Sequence, residues 1–314
     1  MRFGTVDGRF ALLRPNGVTW QALDLATASA AALPAEPVAA LERWDDVLAW
    51  ARTADWSGAV EVAADRLGPP VPMPRQVFAV ALNYAPHAAE AGFSPPAEPL
   101  VFTKFPSSIT GPVSTVELPD GNVDWEIEVV AVVGRGGYRI SREKAWDAVA
   151  GVTLGQDLSE RLRQVAGTPP QFSLAKSHRG FSPIGPVVVT ADELDRYVVD
   201  DRLDLAMSVT INGQEVGRDT SAHMAWSFAE MIAYASRGAW VRPGDVLGSG
   251  TCGSGCLAEL WGWAGRQDPA PLAPGDTVTL DVQGIGRLTN TLVPARAAQP
   301  VPSARRFDDG VRLA

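Results

Sequence analysis

Residues 124–133 read DWEIEVVAVV, in which two glutamates, Glu126 and Glu128, alternate with large apolar side chains before the run becomes wholly apolar. Alternate residues of a strand share one face, so Glu126 and Glu128 point the same way while Trp125 faces the opposite side. Two such carboxylates repel each other unless a cation lies between them. A solvated face on an edge strand is the common alternative, but Val130 continues the carboxylate face and indicates that it turns inward.

Short strands also dominate the surrounding sequence from residue 76 onward. Apolar runs bounded by Gly, Pro or Asn predict strands at 77–82, 100–104, 125–133, 152–157, 187–190 and 205–211. The 30 glycines and 25 prolines supply the turns that such a chain needs. Helical patterns predict helices at 141–150 and 221–236.

A proline-rich segment divides the chain into unequal parts. Residues 68–74, GPPVPMP, cannot continue a helix or a central strand, so we interpret them as a linker. We therefore expect a small N-terminal domain at 1–70 and a catalytic domain at 71–293. Residues 294–314 are rich in Ala, Pro and Arg without periodicity, which is typical of a loosely held C-terminal tail.

The composition of the 314-residue chain excludes several classes of protein. Hydrophobic residues make up 46% and charged residues 20%, as in a globular protein that buries a core. A net charge of -9 without a basic stripe argues against nucleic-acid binding. No apolar run reaches the length of about 20 residues that a membrane helix needs, and no export signal is visible at the N-terminus. We expect a cytoplasmic protein with no nucleic-acid or membrane partner.

A third carboxylate, Asp157, ends the strand predicted at 152–157. An Asp at this place can simply cap a following helix, which is the structural alternative to a functional role. If Asp157 instead meets Glu126 and Glu128, three carboxylates without a companion thiol or imidazole suit a hard cation such as Mg²⁺ or Mn²⁺. The spacing therefore indicates a candidate metal site.

One of the three histidines, His87, lies in the segment NYAPHAAE at 83–90, three residues before Glu90. If a helix begins after Pro86, this spacing places the imidazole and the carboxylate on one face. A carboxylate that holds one ring nitrogen fixes the tautomer and leaves the other nitrogen free as a base. An exposed His–Glu pair on a surface helix is the alternative interpretation.

Lysines and cysteines are both scarce. Three of the 27 basic residues are lysines, Lys104, Lys144 and Lys176, so each is a candidate for a role that needs a compact ammonium group. Chance survival on the surface is the alternative for one or two of them. Cys252 and Cys256 are too few for a disulfide framework or a closed zinc site, and we interpret them as small buried residues.

Six motifs follow one another between residues 83 and 251. They are Asn-Tyr-x-x-His-x-x-Glu at 83–90, Phe-x-Lys at 102–104, Glu-x-Glu at 126–128, Asp-x-x-x-Arg at 157–161, the isolated Lys176, and Pro-Gly-Asp before Gly-Thr at 243–251. In this combination and order they resemble the fumarylacetoacetate hydrolase family, over roughly residues 72–293. The resemblance implies a β-rich α+β fold, with a mixed β-roll or β-sandwich catalytic domain, a small N-terminal domain and a homodimeric assembly.

The resemblance also implies the residues of a site. The matched metal ligands are Glu126, Glu128 and Asp157, for Mg²⁺ or else Mn²⁺ or Ca²⁺, while His87 matches the general base and Lys176 the active-site lysine. The implied substrate contacts are Tyr84, Arg161, Gln164 and Thr251. The segment after Gly250 looks like that of fumarylacetoacetases proper, whose Glu, matched by Glu259, orients the catalytic His. Glu90 and Glu259 are therefore both candidates for orienting His87.

From this resemblance we expect a metal-dependent hydrolase that cleaves a carbon–carbon bond in a 1,3-dicarbonyl or acylpyruvate-type 2-oxo acid. Such an enzyme would serve the catabolism of aromatic or sugar-derived acids, with a small anionic 2-oxo acid as its partner. A decarboxylase, hydratase or isomerase on the same scaffold is the alternative, because these reactions share an enolate. A non-catalytic relative that binds a small acid would have a gap in the metal or base residues, and the sequence shows none.

Overall fold

The structure is a computed structural model that describes residues 1–90, 96–199, 202–264 and 269–297, so residues 298–314 of the expected tail lie outside it. The strands are β1 (Arg2–Val6), β2 (Arg9–Asn16), β3 (Thr19–Asp24), β4 (Val60–Val62), β5 (Leu67–Gly68), β6 (Val77–Ala81), β7 (Leu100–Lys104), β8 (Ile109–Thr110), β9 (Val113–Leu118), β10 (Val123–Asp124), β11 (Ile127–Val133), β12 (Val149–Gln156), β13 (Ser159–Glu160), β14 (Ser182–Val189), β15 (Val198–Val199), β16 (Arg202–Leu203), β17 (Ala206–Ile211), β18 (Gln214–Thr220), β19 (Val246–Gly248), β20 (Thr277–Val282) and β21 (Gly286–Pro294). The α-helices are α1 (Leu25–Ala28), α2 (Pro37–Glu42), α3 (Trp44–Ala51), α4 (Ala85–Glu90), α5 (Arg142–Ala145), α6 (Arg161–Gln164), α7 (Phe172–Ala175), α8 (Ala191–Leu194), α9 (Phe228–Ala235) and α10 (Leu257–Ala264). Short 3₁₀ helices span Ala64–Arg66, Pro106–Ser108, Trp146–Ala148, Asp195–Tyr197 and Ser221–His223.

Among the described residues, no helix has both the length and the apolar character to cross a membrane.

Two sheets carry most of the described chain. The larger sheet runs in the order β4-β3-β2-β1-β14-β12-β11-β19-β6-β7, with β5 beside β1 and β8 beside β14. The smaller sheet runs in the order β18-β17-β20-β21-β9. Most neighbours are antiparallel, but β19 runs parallel to β6 and β21 runs parallel to β9. The strand-rich α+β fold with mixed sheets that the sequence predicts is confirmed.

Strand β11 lies inside the larger sheet, because it pairs with β12 on one side and with β19 on the other. All of its residues are buried. Ile127 and Val129 pack in the main hydrophobic core on one face, whereas Val130 and Val132 pack in a second core on the other face. Glu128 shares the face of Val130 and is itself buried. The edge-strand alternative is therefore wrong, and the carboxylate face turns into the protein.

The N-terminal residues extend the same sheet. Strand β1 pairs with β14, so β1 to β4 continue the larger sheet beyond the part that carries the acidic motif. Helices α2 and α3 cover these strands, and Phe3, Phe10 and Trp44 form the centre of the second core. The expected N-terminal domain thus shares both its sheet and the second core, which includes Val130 and Val132, with the rest of the chain. The boundary at residue 70 stays a prediction.

Two predicted helices are shorter than their sequence patterns indicate. Within residues 141–150, α5 is followed by a 3₁₀ turn and then by the start of β12. Pairing of β12 with β11 and β14 takes these residues into the sheet, and this tertiary contact overrides a weak local helical preference. Within residues 221–236, α9 begins late, because Ser227 and Glu230 form a capping box there.

Candidate metal centre and active site

Three buried carboxylates meet where β11 and β12 lie side by side. Glu126 directly precedes β11, Glu128 lies within it, and Asp157 directly follows β12. One oxygen from each side chain lies within 4.8 Å of the other two. Asp157 does not cap the next helix, because the side chain of Glu160 caps α6 instead. The structure therefore brings the three residues predicted as metal ligands together.

Two buried lysines, Lys104 and Lys176, place positive charge against these acids. Lys176 Nζ donates hydrogen bonds to Glu126 Oε2 at 2.8 Å and to Asp157 Oδ2 at 2.9 Å. Lys104 Nζ donates to Asp157 Oδ1 and, at 3.0 Å, to the carbonyl oxygen of Phe181. Among the described residues, neither lysine donates a hydrogen bond to the third carboxylate of the group.

That third carboxylate belongs to Glu128, which is 4% exposed and makes no hydrogen bond through its side chain within the described residues. Burial, and then the charges of Asp157 and Glu126, raise the pKa of Glu128 well above its usual range. Burial also opposes the ionisation of Glu126, but Lys176 and Arg161 outweigh it and hold the pKa of Glu126 at about 2. A buried carboxylate without a partner beside two others is the environment that a cation stabilises. This all-oxygen set fits Mg²⁺ or Mn²⁺.

Strand β19 leaves the space that Glu128 needs. A Cβ atom built on Gly248, in β19, would lie 2.2 Å from Glu128 Oε2. Any side chain at this position would therefore push the carboxylate away from the other two acids. The glycine is part of the site for a steric reason that the acidic motif alone does not reveal.

The candidate base lies on helix α4. The Nδ1 atom of His87 contacts the carboxylate of Glu259 on helix α10, whose side chain is 1% exposed. This contact favours the tautomer with the proton on Nδ1 and leaves Nε2 free to accept a proton. Of the two candidate acids, the structure places Glu259 at His87, while the side chain of Glu90 lies outside the described residues.

A further acid connects helix α10 to the carboxylate site. Asp124 accepts hydrogen bonds from the backbone N–H groups of Leu257 at 2.6 Å and Ala258 at 3.0 Å, so it caps the N-terminus of α10. The guanidinium of Arg161 donates to Asp124 Oδ2 through Nε at 2.8 Å and to Glu126 Oε1 through Nη2 at 2.7 Å. Arg161 thereby links the acid that caps α10 to Glu126, one of the candidate metal ligands.

A cavity of about 460 Å³ opens onto the base and onto two of the three carboxylates, Glu126 and Asp157. Its polar lining consists of His87, Glu126, Asp157, Arg161, Gln164, Lys176 and Thr251. On the apolar side, the rings of Phe102 and Phe172 stack with their centroids 5.2 Å apart. The hydroxyl oxygen of Thr251 is buried and has no hydrogen-bond partner within the described residues, so it is available to a ligand.

The structure does not bring Tyr84 to this cavity. The side chain of Tyr84 is fully buried in the main core, and its hydroxyl lies 3.2 Å from Ser249 Oγ. The backbone of Tyr84 also bridges to that of Met224. Tyr84 therefore supports the chain just before α4 and does not line the cavity, while its role as a substrate contact stays a prediction.

Two residues that contact the site, Lys104 and Asp124, were not predicted as site residues. The scarcity of lysines made Lys104 a candidate without assigning it a role; of the three lysines only Lys144 is exposed. Asp124 gave no signal, since its partners come from a distant helix. Cys252 and Cys256 are both buried and neither forms a disulfide bond, in line with their interpretation as small buried residues.

Taken together, the described residues form a cavity at a mixed sheet that joins a cluster of acids to an imidazole paired with a carboxylate. The chain belongs to the fumarylacetoacetate hydrolase family: the family described as "Fumarylacetoacetate (FAA) hydrolase C-terminal" matches residues 76–293. The resemblance that the six motifs indicate is thus confirmed.

Similar proteins include a tautomerase and a hydrolase. The chain is 33% identical over 227 residues to "Oxaloacetate tautomerase fahd2, mitochondrial" of Xenopus laevis, which covers 71% of this chain and 67% of the relative. A crystal structure of a "putative HpcE protein" from Mycobacterium smegmatis matches with a TM-score of 0.82 at 45% identity, over 94% of this chain and 100% of that one. Maleylpyruvate hydrolase from Sphingobium sp. SYK-6, in complex with manganese(II) ion and pyruvate, matches with a TM-score of 0.73 over 94% and 100% of the two chains. Its 23% identity establishes a common fold alone.

Proposed function

We propose that this protein is a metal-dependent enzyme that hydrolyses a carbon–carbon bond in a small anionic 2-oxo acid of the 1,3-dicarbonyl or acylpyruvate type. The observation that carries the proposal is that His87, held by Glu259, lines the same cavity as Glu126 and Asp157. A base and an acidic cation site on one cavity are what the hydrolysis of a β-dicarbonyl compound requires.

The proposed metal ligands are Glu126, Glu128 and Asp157, and the metal is Mg²⁺ or Mn²⁺. A divalent cation held there would bind the two oxygens of a 2-oxo acid and stabilise the negative charge that develops as the bond breaks. The manganese ion and pyruvate in the Sphingobium maleylpyruvate hydrolase support a cation and a 2-oxo acid on this fold. The unpartnered carboxylate of Glu128 supports it from this chain's own residues.

The cavity lining supports an anionic substrate. Lys176 and Arg161 supply positive charge, and the Thr251 hydroxyl can donate to a substrate carboxylate. Phe102 and Phe172 form the apolar wall against which a hydrocarbon or acyl group would pack. A volume of about 460 Å³ limits the substrate to a small molecule.

The proposed role of His87 is to take a proton from a water molecule through Nε2. Glu259 holds Nδ1 and stabilises the imidazolium that forms, so the water can attack the carbonyl carbon of the substrate. Lys176, buried beside Glu126, can hold the oxyanion that results. The protonated His87 then returns its proton to the carbon that leaves as an enolate.

Tautomerisation of a 2-oxo acid is the second candidate, and the 33% identical oxaloacetate tautomerase from Xenopus laevis favours it. In this reaction His87 would remove a proton from the carbon next to the keto group and return it to the enolate. The same residues serve both reactions, and the difference is whether water attacks. Decarboxylation and hydration stay less supported alternatives on the same scaffold.

An assay of an acylpyruvate and oxaloacetate side by side, with Mg²⁺ or Mn²⁺ and with products identified by NMR, tests the proposal. Cleavage of the acylpyruvate to pyruvate and a carboxylic acid, lost on chelation, supports hydrolysis. Keto–enol interconversion of oxaloacetate above the buffer rate, without cleavage of either compound, would replace hydrolysis by tautomerisation. Binding without turnover of either would favour the non-catalytic relative. The homodimer and the cytoplasmic location stay predictions.

A further inference from the structure

A second cluster of ligand atoms surrounds the proposed base. His87, Cys256 and Glu259 each place one ligand atom within 4.8 Å of the other two. Cys256 and Glu259 are 1% exposed, and the His87 side chain is 14% exposed and reaches the cavity. The cluster shares no residue with the carboxylate site, although the backbone of Cys256 forms a bridge with Glu126. Two different sets of ligands therefore lie next to each other.

The local chain brings these side chains together. Cys256 directly precedes α10 and Glu259 lies three residues later, which places both on one side of the first helical turn. The backbone N–H of Cys256 donates to Glu259 Oε2 at 3.5 Å. The preceding Gly255 is required for this turn, because a Cβ there would lie 2.4 Å from Thr251 Oγ1. Helix α4 packs against α10 and supplies His87.

The chemistry of the two sets differs. Three carboxylates select a hard cation, whereas an imidazole, a thiolate and one carboxylate form a mixed set that suits Zn²⁺ and similar thiophilic ions. Zinc takes such ligands at about 2.0–2.3 Å, and the three atoms already lie within 4.8 Å of one another, so shifts of about 1 Å, including an opening of the His87–Glu259 contact, would let them surround an ion. Three protein ligands also leave a fourth position, and it would open to the cavity that His87 lines.

We propose that His87, Cys256 and Glu259 form a thiophilic cation site, occupied by Zn²⁺ rather than Mg²⁺, that removes the base from use when it is filled. The binding part of this proposal stands on the cluster alone. The inhibition part rests on the proposed function, because it requires His87 to be the base. Zn²⁺ would thus act as an inhibitor of an enzyme that another divalent cation activates.

Spectroscopy with Co²⁺ as the probe tests the binding part without any assay of turnover. The full chain, loaded with Mg²⁺, is titrated with Co²⁺ and its near-ultraviolet absorption is recorded, because a Co²⁺–thiolate bond gives an intense charge-transfer band that carboxylate ligands do not. The variant Cys256→Ser removes the proposed sulfur ligand. Cys252→Ser is the matched control, since Cys252 is equally buried, lies four residues earlier and packs in the main core.

The proposal predicts a charge-transfer band in the unaltered chain and in Cys252→Ser, and its loss in Cys256→Ser. Zn²⁺ should displace the band, and Glu259→Gln should weaken Co²⁺ binding by about 10-fold or more. No band in the unaltered chain, or a band that persists in Cys256→Ser, would overturn the proposal. If Cys256→Ser does not fold, the Glu259→Gln titration decides: unchanged Co²⁺ affinity contradicts the site.

Inhibition is measured separately on the Mg²⁺-supported reaction. Zn²⁺ should inhibit the unaltered enzyme. The Zn²⁺ concentration that halves the rate, with each protein's rate normalised to its own value without Zn²⁺, should be about 100-fold higher for Cys256→Ser than for the unaltered enzyme. A thiolate band without inhibition would confirm the cation site and refute the role of His87 as the base. Inhibition that is equal in both proteins would contradict the regulatory part, because Zn²⁺ would then act at the three carboxylates.

Discussion

The carboxylate site and the base cluster are neighbours in space but are built in different ways. Glu128 lies in strand β11, Glu126 and Asp157 lie at the adjoining ends of β11 and its antiparallel neighbour β12, and two buried lysines balance their charge. His87 and Glu259, by contrast, come from two helices and lie 172 residues apart in the chain. One site is held by a hydrogen-bonded sheet and its charges, the other by the contact of two helices.

Because of this difference, the two sites should respond to different kinds of substitution. The carboxylate site should respond to changes of charge, because its acids are buried and depend on cations. The base cluster should respond to changes in a single hydrogen bond, because Glu259 alone orients the ring of His87 among the described residues. Variants that change metal binding, stability or turnover one at a time can therefore test whether the carboxylate site and the base cluster respond differently.

The largest effect is expected from His87→Ala. Removal of a general base lowers turnover by about 10²–10⁴-fold, while Mn²⁺ affinity should stay close to that of the unaltered chain because no carboxylate is changed. Steady-state kinetics and calorimetric Mn²⁺ titration measure the two quantities. His223→Ala is the matched control, since His223 is exposed and its Nδ1 atom contacts Asp219. Equal activity in His87→Ala and the control would remove His87 from the mechanism.

A large effect on stability is expected from Lys104→Met. The substitution leaves the buried carboxylate of Asp157 with one ammonium partner fewer, and the free energy of unfolding of the metal-free protein should fall by about 3 kcal/mol. Added Mn²⁺ should recover more stability than it adds to the unaltered chain. Denaturant titrations measure both changes. Lys144→Met, an exposed control, should change stability by less than about 0.5 kcal/mol; similar losses in both variants would refute the role of Lys104 as an internal counter-ion.

A smaller effect on catalysis is expected from Glu259→Gln. The amide can still contact His87 but carries no charge to stabilise its protonated form, so kcat should fall by about 10–100-fold with little change in KM. Glu215→Gln, on an exposed acid paired with Arg218, is the control. A rise in KM at constant kcat would instead assign Glu259 to substrate binding.

The smallest effect is expected at Asp245, a buried acid remote from the lysines. Burial raises its pKa to about 6, although the backbone of Arg242 and the side chain of Gln76 donate to it. Because the folded state favours the protonated form, the contribution of Asp245 to the free energy of unfolding is largest below about pH 4 and falls as the pH rises toward 6. Asp245→Asn should reduce the fall in the free energy of unfolding between pH 4 and 6 by about 1–2 kcal/mol. The same fall in the unaltered chain and in Asp245→Asn, measured by denaturant titration at several pH values, would contradict this prediction.

The sequence predicts the carboxylate site better than the base cluster, for physical reasons. Strand periodicity places Glu126 and Glu128 on one face, and a strand end places Asp157 beside them, so local patterns suffice. The partner of His87 is a tertiary contact, and the short-range spacing to Glu90 competes with it at the level of sequence. Tyr84 shows the same limit, because a motif match does not reveal which way a buried ring turns.

The fold shows a similar division. Strands β7 and β11 lie where apolar runs predict them, because a short apolar run bounded by turn residues is typical of a strand. The helix predicted at 141–150 ends early, since pairing of β12 decides its second half. The space that Gly248 leaves for Glu128 depends on the approach of a third strand, which no local pattern contains.

The central claim is that three carboxylates form one cation site, and calorimetric titration of Mn²⁺ into the unaltered chain and into Glu128→Gln tests it most directly. We predict one tightly bound ion per chain in the former, and an affinity lower by at least about 100-fold in the latter. Equal Mn²⁺ affinity in the two proteins, with Glu128→Gln correctly folded, would contradict the claim.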